Sequence, residues 1–132
     1  MLKINTEHDP NQGQWRTYPR RTGVECLIRP CTRKVYRAVG QEVGEGADAE
    51  QYTQAELRQV VMEWRGIVDQ NDAPLPCTPE MIDRVSELEV GFAAWAFGES
   101  RAMLLAMISS TEAELGNSDA SAEALPPAPA EA

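Results

Sequence analysis

Histidine is almost missing from this chain of 132 residues; His8 stands alone. Cysteine is scarce too, and Cys26, Cys31 and Cys77 show none of the Cys-x₂₋₄-Cys spacing of a zinc site. No metal ligand set is evident, and no cofactor is expected. A cysteine nucleophile needs a base, usually histidine, to raise its thiolate fraction. Cys77 lies ahead of a helix cap in PLPCTPE, where the helix dipole favours a thiolate, but no local motif ties it to His8. The simpler reading makes Cys77 a small apolar filler between two helices. The Gly-Glu-Gly of residues 44–46 has no buried strand before it and no third glycine after it, so it is not a dinucleotide fingerprint. No carboxylates fall in a segment that reads as a buried pair. The expectation is a non-enzyme.

Long apolar runs are also lacking. Nothing approaches the roughly 18–20 residues of a membrane span. MLKINTEHDP turns polar after four residues, without the apolar core of a signal peptide. A cytoplasmic protein with no membrane partner is expected, its cysteines reduced and at least half buried. Residues 117–132, NSDASAEALPPAPAEA, hold no aromatic or β-branched residue and a single leucine, Leu125. Such a segment buries too little to offset the entropy of ordering it. It reads as a disordered acidic Pro/Ala-rich tail, leaving residues 1–116 as one small domain.

What is present suggests an α+β fold, mainly helical with a short N-terminal β-hairpin. Leu2 and Ile4 alternate with polar residues, as in a strand. QWRTY (14–18) and VECLIR (24–29) read as strands joined by the turn PRRTG, with Val24, Cys26 and Ile28 on one face. Pro30 ends the second strand. Thr32 then caps a short helix, RKVYRAV, with Val35, Tyr36 and Val39 inward. Residues 40–50 read as a mobile acidic loop. Thr53 and Glu56 have capping-box spacing. Leu57, Val60, Val61 and Trp64 follow at i, i+3, i+4 and i+7, as on one helix, with Gly66 to close it. Trp64 is then a core anchor. Asp-Gln-Asn-Asp-Ala makes a polar turn, and Pro74 and Pro76 hold an extended segment. Thr78 caps and Pro79 opens a long helix over about 79–115, weak at Gly91 and Gly98. Its stripe is Ile82, Val85, Leu88, Phe92 and Trp95, followed by Met103, Leu104, Met107 and Ile108.

Charge is polarised. Residues 1–40 hold eight bases against three acids, a surplus of +5; residues 41–132 hold four against eighteen, a deficit of −14. Trp15, Arg16, Tyr18, Arg20 and Arg21 set two aromatics among three arginines. That mixture suits single-stranded nucleic acid or an anionic protein surface; a solvated edge that discourages aggregation is the plainer alternative.

The hairpin leading into Ile28-Arg29-Pro30-x-Thr32, then EWRGIVD (63–69) and PLPCTPE (74–80), form an ordered series: Trp64, Gly66, Pro74, Pro76, Thr78, Pro79, Glu80. Over about residues 10–90 this resembles the tail assembly chaperones encoded in the tail-morphogenesis regions of long-tailed bacteriophages and prophages. The resemblance implies a non-enzymatic helper in the host bacterial cytoplasm. It would coat the tape-measure protein until tail tube protein replaces it, in a short and a frameshift-extended form. Met103 and Met107 fit such a role, because methionine surfaces repack around varied apolar partners; ordinary core packing is the alternative. Two rival readings are a nucleic-acid-binding module using the hairpin and a structural tail subunit retained in the virion. Nucleic acid is the less expected partner of this acidic chain. Weak, template-dependent self-association through the hairpin arginines completes the expectation.

Overall fold

Alternation in the N-terminal third makes the first two strands. The computed structural model describes residues 1–4 and 6–114, with side chains through residue 109; the expected tail at 117–132 lies outside them. β1 (Gln14–Thr17) and β2 (Glu25–Ile28) pair antiparallel, Gln14 opposite Ile28 and Thr17 opposite Glu25. Val24, Cys26 and Ile28 all point into the core. Leu2 and Ile4 form no strand; both are exposed.

α1 (Arg33–Val43) runs four residues past the expected end, because Gly40 is tolerated within it. Thr32 occupies the N-cap position, but its hydroxyl donates to Asn11 Oδ1 at 2.7 Å. Val35 and Val39 are buried, whereas Tyr36 faces outward with 69% of its surface exposed. The expected loop shrinks accordingly. α2 (Ala49–Val60) starts at a reciprocal capping box of Asp48 and Gln51, each backbone N–H donating to the other's side chain at 2.9 Å. The proposed Thr53–Glu56 box therefore lies inside the helix, where the Thr53 hydroxyl donates to the Ala49 carbonyl.

The largest departure comes next. Val61 and Trp64 do not continue the helix. They belong to β3 (Val61–Arg65), which pairs antiparallel with β2. Val61 sits opposite Ile28 and Glu63 opposite Leu27, so Met62 is an extra residue, a β-bulge. The bulge turns both Val61 and Trp64 into the core at a spacing of three, which imitates a helix. Pairing with β2 outweighs the local periodicity.

α3 (Pro79–Leu88) and α4 (Phe92–Glu114) replace the single long helix, and the break falls at Gly91, φ +93. Gly98 stays helical. Ile82, Val85 and Phe92 are buried, but Leu88, at the end of α3, is exposed. The described residues are thus α+β: four α-helices and a three-stranded antiparallel sheet in the order β1-β2-β3. Its core gathers Tyr18, Ile28, Leu57, Val60, Trp64 and Phe92 between the sheet and the helices.

Candidate functional site

The resemblance-bearing motif builds a structural corner. Trp64 is buried, and its indole N–H donates to the Leu75 carbonyl at 2.8 Å, tying β3 to the proline segment. Gly66 is left-handed, φ +88, but it ends a strand and not a helix. A Cβ there would lie 2.0 Å from the Gly23 carbonyl oxygen, so only glycine fits. Val68 bridges Pro74 across a turn held by Asp69, whose carboxylate accepts from the backbone of Asn71 and Ala73. The Pro76 carbonyl accepts from Thr78 N–H, and Thr78 Oγ1 caps α3 at Met81. Pro79 holds the first position of α3.

Cys77 packs against the core at this corner. Burial, and then the charge of Glu63, pushes its thiol up to about 12. Burial does the same to Cys26, and Cys31 is also raised, by burial and Glu56. Such thiols are protonated at neutral pH and are poor nucleophiles. His8 lies elsewhere, along the groove described below. Among the described residues no three His, Cys, Asp or Glu side chains gather as a metal site, and no helix is long and apolar enough to cross a membrane.

The hairpin patch is largely consumed within the chain. Tyr18 is 2% exposed, and its hydroxyl donates to Glu89 Oε2 at 2.9 Å. Its ring meets Phe92 and Trp95 edge-on. Tyr18 is therefore a core residue and not a surface contact. Arg21 grips both Glu89 oxygens at 3.0 Å, and Arg20 reaches the Val90 carbonyl. Arg21, and then Tyr18, hold the Glu89 carboxyl below the ordinary carboxylate range. Trp15 stays partly exposed, covered by the Arg65 guanidinium 3.9 Å from its ring centre. The pairing expected between the hairpin of one copy and the acids of another is made here inside one molecule. The partner, Glu89, is remote in sequence, which hid the contact.

Three of the expected binding residues do come together. Arg16, Met103 and Met107 line a groove of about 1020 Å³ between the N-terminal segment and α4, with Leu2, Ile4 and Ala106. Met103 is buried and forms part of the core, while Met107 is half-buried. Lys3 and Arg16 give the lining positive charge, against Asp9. Arg16 holds Gln14 at 2.9 Å and Glu99 loosely at 3.5 Å, and its buried Nε has no partner. Beside the groove, Leu105 and Ile108 are 56% and 49% exposed. Apolar residues thus occur on every side of this part of α4, beyond what its core contact needs. The run Met103-Leu104-Leu105-Ala106-Met107-Ile108 carried that signal in the sequence. Leu2 and Ile4 were missed as groove walls because alternation read as a strand.

Compared with protein-family models, curated proteins and solved structures, the chain matches none.

Proposed function

We propose that this chain is a non-enzymatic assembly chaperone of the phage-tail type, which shields an apolar segment of a longer partner, the tape-measure protein, before tube subunits replace it. The observation that carries this reading is the groove walled by Leu2, Ile4, Ala106, Met103 and Met107. It is open and partly apolar, and its methionines and its irregular N-terminal wall adapt to differing side chains. The exposed Leu105 and Ile108 extend the same apolar region of α4. The resemblance of the Trp64-to-Glu80 motif supplies the biological setting. Raised thiol pKa values support a binding role over thiol catalysis.

The test is co-expression with the protein encoded by the longest neighbouring reading frame. Soluble partner should rise with the wild-type chain. Ala106→Glu places a carboxylate on the exposed groove wall, and it should abolish the gain while leaving circular dichroism unchanged. Equal solubilisation by Ala106→Glu would overturn the groove as the binding site. Mass spectrometry of purified particles should lack the chain; stoichiometric presence would make it a virion subunit instead.

A further inference from the structure

Six arginines, at positions 16, 20, 21, 29, 58 and 65, hold hydrogen-bond acceptors within the chain. Arg33 and Arg37 hold no hydrogen bond or ion pair among the described residues, although the chain has 21 acids for 12 bases, while the charge of Lys34 acts on the Asp9 carboxylate. All three stand on the first turns of α1. Val35 and Val39 fix the inner side of that helix in the core. Arg33, Tyr36, Arg37 and Gly40 recur at i, i+3, i+4 and i+7 and make the outer side. Tyr36, well exposed, lies between two guanidiniums. Gly40 leaves open space one turn on, where a Cβ would meet nothing within 4 Å. An exposed tyrosine flanked by arginines on a rigid helix has the composition that dominates protein interfaces.

The complementary charge lies at the other end of the same helix. A cleft of about 580 Å³ opens between α1, α2 and α3, lined by Glu42, Asp48, Glu50, Asp83 and Glu87. Arg58 pairs with Glu42 and Asp83 at 2.6 and 2.8 Å. Glu50 and Glu87 are exposed and unpaired among the described residues. A helix of 11 residues spans about 16 Å. Its rigidity keeps the basic face and the acidic cleft of one molecule apart, whereas two molecules can join them.

We propose that the Arg33–Tyr36–Arg37 face of one copy docks into the acidic α1–α2–α3 cleft of a second. The contact is heterologous, so each pair keeps one unused basic face and one unused cleft, and association continues along a row. Ion pairs at exposed sites are individually weak and screened by salt, so association is concentration-dependent and salt-sensitive. Single-stranded nucleic acid fits less well: the face offers one aromatic, and the whole chain carries net charge −9. This inference stands apart from the groove and its occupant.

Sedimentation of the full chain provides the test. At low ionic strength the average mass should climb with protein concentration, and high salt should reverse it. Arg33→Glu with Arg37→Glu, and separately Glu50→Lys with Glu87→Lys, should each give monomers with unchanged circular dichroism. Glutamate at position 33, in the first turn, suits the helix dipole, and position 37 is exposed, so the first pair should fold. Mixing the two variants should restore association, because their reversed faces complement each other. Tyr36→Ala should weaken it about tenfold. Monomeric wild-type protein at every concentration in low salt would overturn the proposal, as would self-association unaffected by the arginine reversals. Salt-sensitive binding of a short labelled single-stranded DNA, lost in the arginine variant and without any self-association, would assign the face to nucleic acid and also overturn it.

Discussion

Two regions of this molecule treat apolar surface in opposite ways. Around β3 and the proline segment, Trp64 is sealed: its indole has an acceptor, its ring meets Phe92, and Gly66 lies against the Gly23 backbone. Along the later turns of α4, Leu105 and Ile108 face outward beside a groove walled by Leu2 and Ile4. Both stretches carry large apolar side chains in the sequence. The first is stabilised by its own fold, while the second leaves apolar surface that a partner would cover.

The sharpest way to break this contrast is at the sealed side. Trp64→Ala removes a buried ring and leaves the Leu75 carbonyl without its donor, so unfolding free energy should fall by about 3–5 kcal/mol. Gly66→Ala should cost about 2–4 kcal/mol, combining a left-handed backbone with a Cβ that collides with main chain. Urea titration measures both. A loss below about 1 kcal/mol for either would mean that the corner is looser than its geometry.

A smaller effect should come from the hairpin clamp. Arg21→Glu sets two carboxylates together and should lower Tm without altering the far-ultraviolet spectrum. The same clamp sets an acid limit. Arg21 depresses Glu89, and Arg58 depresses Asp83. A carboxylate whose folded pKa is depressed adds stability above its unfolded pKa and loses it as pH falls through the folded value. Tm should therefore drop as pH falls below about 4, and Arg21→Glu should show a weaker drop. An identical pH profile would remove Glu89 from the account.

The smallest effect belongs to the open side. Leu105→Lys should change stability by no more than about 0.5 kcal/mol, because the residue makes little core contact. A loss of 2 kcal/mol or more would place Leu105 in the core.

The two regions also differ in how far sequence reasoning reached. The hairpin, the buried Val24-Cys26-Ile28 face and the Thr78-Pro79 helix start were legible, because alternation and capping act within a few residues. β3 was not, since the bulge at Met62 gave Val61 and Trp64 a helical interval. The role of Tyr18 was also hidden, because its partner Glu89 comes from the corner between α3 and α4. Of the expected binding residues, Arg16, Met103 and Met107 converge on one groove, while Trp15, Arg20 and Arg21 serve contacts within the chain. Methionine spacing revealed the helix, but only the tertiary fold placed the N-terminal segment beside it.

Amide hydrogen exchange, with and without the protein from the longest neighbouring reading frame, tests the central claim most directly. New protection should appear in residues 1–4 and 101–109 and leave 61–80 unchanged, because the sealed corner has nothing further to bury. Protection confined to the hairpin at 14–21, with none along α4, would contradict the groove as the binding site.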